Sequence, residues 1–374
     1  MKNEEGRMKN LMNGERKVKK EELCGNPQGG AERVVTPSED SRPSLFGLRS
    51  WFRNLLKVAL PLLLGGFILY WVYRDFDFAQ AARVLRHGIR WDWMALSLFF
   101  GVWSHVERAM RWRQTLEPLG YRPRASRLVD AIYLSYATSL VIPRVGEVSR
   151  CGVLSRYEGV PFSKSLGTVV SERLVDTLCM LFLAGVTLVL ELPVFLTFFR
   201  QTGTKIPSLV HLLTSPWFYV ALFCVVGVLV LAVWLVRMLS FFERVRGVVL
   251  DVWQGVMSLR RVRNVPLFLL HTVLMWLCYF LHFYLTFYCF PFSEGLGVQA
   301  GLVMFVAGTF AVIVPTPNGA GPWHFAVITM MMLYGVSSAD ASLFALLVHG
   351  IQTLLVIVLG LWGWLHLVLG GRKG

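Results

Sequence analysis

Residues 310–332 read FAVIVPTPNGAGPWHFAVITMMM. Two apolar arms flank a knot, Pro315 to Pro322, that holds three prolines, two glycines and one asparagine. Proline removes a backbone donor, while glycine and asparagine accept left-handed backbone, so the knot interrupts any helix that enters it. Such a segment normally marks a surface loop, yet here apolar residues run on from both ends. Irregular backbone at membrane depth is tolerated only where protein buries it or where it lines a water-filled cavity. How the rest of the chain treats this knot decides the fold.

The surroundings are those of a membrane. Of 374 residues, 55% are hydrophobic and 16% charged, with a mean hydropathy of +0.54; soluble proteins carry roughly 25% charged residues. The windows Leu55–Tyr73, Trp217–Val236, Val265–Phe287 and Ala341–Leu369 are near or above the roughly 20 apolar residues a crossing needs. The sequence therefore predicts an all-α polytopic membrane protein. Residues 1–50 differ: they are polar and free of apolar periodicity, and are expected to form a disordered, basic cytoplasmic tail. No apolar core follows the basic start as a secretory signal requires. Six cysteines stand without a CxxC pair, and no spacing points to a metal or other cofactor. Net charge is +14, which in so apolar a chain is expected to belong to cytoplasmic loops rather than to a nucleic-acid partner.

Charge placement selects the topology. Nine apolar segments can be drawn: 55–73, 93–110, 128–143, 166–190, 217–236, 265–287, 298–314, 322–335 and 341–369. If all nine cross, 19 Lys and Arg fall inside and 16 outside, almost no bias. If 128–160 and 298–335 are instead re-entrant hairpins, the division becomes 29 inside and 6 outside. The outside set still includes Arg74, Arg83, Arg86 and Arg90. This arrangement also yields a repeat. Each half, about 51–192 and about 215–370 within a membrane domain of 51–374, reads span, span, hairpin, span. Three crossings per half invert the second half relative to the first and leave both termini cytoplasmic. The polar stretches 74–92 and 237–263 take matching places. Inverted repeats with broken helices near the midplane are a transporter plan.

Two hairpin tips then correspond, IPRVGEVSR and VPTPNGAGPWH. Pro143, Gly146, Pro315, Pro317, Gly319 and Gly321 are their structural residues. A helix is expected to start after each tip, with its partly positive N-terminus facing the membrane centre, where anions bind. Intramembrane ionisable residues are functional candidates. In SHVERAMRW these are Glu107 and Arg108, beside His105 and Arg111. Glu107 and Arg111 stand four apart and are spaced to pair; the plain alternative is a helix end whose arginines snorkel to the interface. At the first tip stand Arg144, Glu147 and Arg150, with guanidinium forks suited to phosphate; Glu147 also suits the start of a helix. In VVSERLVDTL, Glu172, Arg173 and Asp176 share a face, either to meet substrate or to lock hairpin to span. Asn318 and His324 belong to the second tip, and His349 and Gln352 to the last span. His271 and His282 fit satisfied core histidines. No soluble catalytic motif is present.

PRVGEVSR (Pro143–Arg150), VVSERLVD (Val169–Asp176) and PTPNGAGPWH (Pro315–His324) resemble the lysylphosphatidylglycerol synthase transmembrane region, or flippase-like, family. ERAMRWRQTL (Glu107–Leu116) is similar to its basic, Trp-bearing second span. The likeness covers about residues 51–370, without the aminoacyl-transferase domain that some members carry. It implies a stand-alone member in a bacterial inner membrane that translocates an amphiphilic lipid, phosphate-bearing or isoprenoid-linked. The family's second tip reads like PxPGGxGxxE; here Asn318 replaces the first glycine and His324 the acid. Two other readings stand beside it. One is a non-transporting accessory protein for a lipid-modifying enzyme, as in hopanoid or lipid-linked glycan synthesis. The other is a membrane-embedded lipid transferase using Glu147 or Asp176 as base. Expected partners are membrane lipids, an anionic phospholipid first, with a lipid-modifying enzyme and a homo-oligomer left open.

Overall fold

The computed structural model describes residues 63–74, 88–192 and 243–371, with scattered helical positions between 216 and 231. The tail expected at 1–50, the first part of span 55–73, most of 74–92 and most of span 217–236 lie outside the described residues. Among the described residues regular structure is helical, with no strand.

The helices are α1 (Leu63–Tyr73), α2 (Trp91–Leu116), α3 (Ala125–Val141), α4 (Val145–Glu158) and α5 (Phe162–Leu190). After them come α6 (Glu243–Met257), α7 (Val265–Tyr284), α8 (Val298–Ala311), α9 (Pro322–Leu333) and α10 (Ser338–Leu369). Three are long and apolar enough to cross a membrane: α5, α7 with its 3-10 extension to Cys289, and α10. At 26 residues α2 has the length as well, but its second half carries Glu107, Arg108, Arg111 and Arg113. It also outruns the span expected at 93–110 by a turn and a half. The arms α3, α4, α8 and α9 have 17, 14, 14 and 12 residues. At 1.5 Å per residue they measure about 18–26 Å, less than the ~30 Å hydrocarbon core.

Local signals explain the boundaries. Asn264 caps α7, its Oδ1 accepting from the Leu267 amide at 3.1 Å, with Pro266 in the first turn. Ser337 caps α10 through the Asp340 amide. Gly159 ends α4 in the left-handed region, and Pro161 leads into α5.

Lipid is as apolar as leucine, so packing between these helices rests on close fit rather than on burial from water. Small residues supply that fit. Gly167 of α5 meets Gly255 of α6, and Gly360 and Gly363 of α10 seat on α3 beside Tyr133 and Ala137. The pairing runs as follows: α2 with α7, α3 with α4, α8 with α9, α4 with α5, and α9 with α10. In addition α3 packs on α10, α8 on α5, α2 on α3, and α7 on α8. One apolar core gathers Phe283, Phe287, Phe290 and Phe344; the other gathers Trp112, Leu128, Ile132 and Leu154.

Candidate functional site

The two interrupted segments are turns between packed helices. At the first, Pro143 and Arg144 link α3 to α4, and Arg144 takes left-handed backbone (φ 65°), unusual for a side chain of its size. Gly146, a structural residue of this tip, fits a tight turn by its type. It does not make the turn: it is already helical, and it is glycine because a Cβ there would collide with the Ser135 carbonyl and Ser139 Oγ of α3. Its amide donates to Ser139 Oγ at 3.1 Å, and Thr138 and Ser149 hydroxyls meet at 3.0 Å, stitching the arms together.

At the second, Pro317–Gly319 form a 3-10 turn with Asn318 left-handed (φ 51°), as expected of an asparagine replacing glycine. Gly319 and Gly321 also have positive φ. Asn318 Nδ2 donates to Thr353 Oγ1 at 2.7 Å, and His349 Nε2 donates to the Asn318 carbonyl at 3.1 Å. Pro322 opens α9. His324 is 3% exposed and packs 4.5 Å from the His349 ring; its Nδ1 accepts from the Gly321 amide. That is the position where Glu or Gln closes a capping box. His324 thus does a capping job that an acid at the same position could also do.

The tips touch. Arg144 Nη2 donates to the Ile313 carbonyl at 3.1 Å, and α3 packs on the Pro317–Gly319 turn. Arg144 is exposed, as are Val312, Ile313, Val314 and Pro315 opposite it.

Beyond the first tip lies an ion-pair lattice. Arg108 contacts Glu172 at 2.8 Å and Asp176 at 3.2 Å, and Arg111 contacts Asp176 at 2.6 Å and Glu172 at 3.3 Å. Arg150 reaches Glu172 at 3.0 Å, and its guanidinium lies 4.7 Å from the Trp112 ring centroid. These five charged side chains, from α2, α4 and α5, are buried. At the open edge, Arg173 pairs with Glu147 at 3.2 Å and also approaches Glu172 and Asp176, both at 3.4 Å. Arg173 and Glu147 side chains are 42% and 38% exposed. Four guanidinium groups therefore face three carboxylates, an excess of one positive charge.

The arrangement brings Arg108, Glu147, Arg150, Glu172, Arg173 and Asp176 together between α2, α4 and α5, with Arg144 just ahead of α4 and turned to Ile313. Asn318 and His324 stand at the second tip, joined to that group through Arg144. Two expectations on α2 are overturned. Glu107 does not pair with Arg111 but with His271 of α7, while Arg111 turns to Asp176. Nor does Arg111 snorkel to the interface: it is 0% exposed. Both reversals follow from neighbours supplied by other helices. Tyr279 was missed; its hydroxyl accepts from Arg108 Nε at 3.0 Å and meets the Tyr136 hydroxyl at 2.9 Å. The available signal was a tyrosine on an apolar span opposite a charged one.

Fold and site together define a helical membrane protein whose two proline-bearing turns meet beside a buried lattice of arginines and carboxylates. The chain belongs to the family described as the lysylphosphatidylglycerol synthase TM region, which it matches over residues 58–360. It is also similar to the glycosyltransferase AglD of Haloferax volcanii, 37% identical over 83 residues. That likeness takes in 22% of this chain and only 13% of the relative's length. No solved structure matches.

Proposed function

We propose that this chain translocates an amphiphilic lipid, with a phosphate-bearing or isoprenoid-linked headgroup, across a bacterial inner membrane between its two tips. The observation that carries the reading is the contact of Arg144 with the Ile313 carbonyl, because it sets an exposed guanidinium beside an exposed apolar rim. A headgroup needs the first and acyl chains need the second. The positive excess of the lattice favours an anion. The exposed groups, Arg144, Arg173 and Glu147, meet the headgroup. The buried Arg108, Arg150, Glu172 and Asp176 hold them in place, and Glu107 ties α2 to α7 through His271.

Two observations support the re-entrant, inverted-repeat arrangement. The four hairpin arms are short for a crossing. Most of the larger helix contacts also correspond when α2, α3, α4 and α5 are exchanged for α7, α8, α9 and α10, although α2 packs on α5 and α10 without a matching contact of α7. Under that exchange α3–α10 becomes α8–α5, α2–α7 maps on itself, and both hairpins correspond.

The test is movement of a fluorescent phospholipid between leaflets of proteoliposomes holding the full chain. Wild type speeds transfer over empty vesicles, and Arg144→Ala with Arg173→Ala slows it by about tenfold or more, as loss of charge-assisted bonds to a headgroup requires. Equal rates in wild type and double variant would overturn these roles. The short likeness to a glycosyltransferase favours one second reading, an accessory protein for a lipid-modifying enzyme. That reading predicts no transfer by the purified chain and co-purification with such an enzyme. A transferase reading would have to rest on Glu147, since Asp176 is engaged by three guanidinium groups.

A further inference from the structure

A cavity of about 460 Å³ lies between the last turns of α2 and the first turns of α7. Its size falls in the range of small-ligand sites. It is separate from the tips: no residue of the ion-pair lattice lines it. Arg113, Gln114, Glu117, Arg263, Asn264 and His271 form its polar walls.

Their hydrogen bonds are uneven. Both amide atoms of Gln114 are buried without a hydrogen-bond partner. A buried amide left so is costly. Gln114 lines the cavity, and rotation of its side chain lets the NH2 donate to a phosphate oxygen and Oε1 accept from a headgroup hydroxyl. Arg113 lies 3.7 Å from Glu117, which leaves Arg263, exposed and with no carboxylate partner among the described residues, as surplus charge. Asn264 Oδ1 is engaged by the α7 cap, and His271 by Glu107. Two arginines against one glutamate leave a single positive charge. A phosphodiester, with one negative charge, balances it; a phosphomonoester near −2 overshoots.

The wall continues outward in a lipid-compatible way. Leu267 lines the cavity, and Leu269, Leu270 and Val273 of the same helix are exposed. Acyl chains attached to a headgroup in the cavity find an apolar surface along α7. The charge count sets both cavity edges, 111–127 and 237–263, on the cytoplasmic side.

We propose that this cavity is a second lipid site, which binds the phosphodiester headgroup of an anionic phospholipid of the cytoplasmic leaflet. Its service as a loading site ahead of the tips rests on the translocation reading; binding itself does not.

Native mass spectrometry of the full-length protein in detergent, titrated with phosphatidylglycerol, tests it. A one-lipid adduct is expected, weakened about tenfold or more by Arg263→Gln and by Gln114→Leu. Arg260→Gln removes the same charge from an exposed neighbour that does not line the cavity, and it leaves the adduct intact. Thermal unfolding of each variant separates lost binding from lost fold. Because Arg263 is exposed, its variant keeps wild-type stability even if Gln114→Leu does not. Adducts unchanged in both cavity variants, or weakened equally by Arg260→Gln, overturn the site. Deacylated glycerophosphoglycerol competing as strongly as the lipid overturns the lipid source. Binding lost in Arg263→Gln, with no transfer by wild type in vesicles, upholds the cavity and refutes translocation alone.

Discussion

Glu172 sits where four guanidinium groups converge: Arg108, Arg111, Arg150 and Arg173 all lie within 3.4 Å of its carboxylate. It is 1% exposed, so no water replaces it when it is lost. Glu172→Gln strands buried positive charge and is expected to destabilise the protein by about 3–5 kcal/mol. Glu147→Gln, at a half-exposed pair, is expected to cost about 1 kcal/mol or less, while still altering lipid transfer. Thermal unfolding of the detergent-purified variants measures both, and equal losses would contradict the division into holding and contacting residues. The sequence made the charged residues legible, because carboxylates and arginines on apolar spans are conspicuous. Their partners were not. Spacing along one helix shows that Glu107 and Arg111 share a face, but His271 stands 164 residues away and only packing brings it there.

Elements were legible where chemistry is local. The PTPNGAGP knot and the PRVGE turn were expected to break helices, and both do, with α9 beginning at the knot's last residue, Pro322, and α4 at Val145, inside the turn sequence. What composition concealed was how each turn is made. At the first tip the left-handed residue is Arg144, a type that hides the requirement, and Gly146 serves close packing instead. Gly146→Ala is therefore expected to push α3 and α4 apart at a cost of about 1–3 kcal/mol. A drop in melting temperature checks this. Unchanged stability would mean that the arms can separate freely and that the Gly146–Ser135 approach is not required.

At the scale of the whole molecule, hydropathy and charge placement led to a helical membrane protein, which the family match and the three long apolar helices bear out. The two-hairpin reading came from counting basic residues, a property of loops, and could not foresee that the tips would touch. That contact depends on α3 packing on the Pro317–Gly319 turn, a juxtaposition of segments some 180 residues apart that no local pattern encodes. It is also where the account is most exposed. If lipid passes between the tips, tying them together must stop it. Arg144→Cys with Ile313→Cys, joined by a short, reducible thiol cross-linker in proteoliposomes, makes the measurement. The account predicts that fluorescent-lipid transfer falls to the empty-vesicle rate on cross-linking and returns, on reduction, to the slower rate that the same variant, lacking Arg144, shows before cross-linking. Undiminished transfer with the cross-link complete would contradict it.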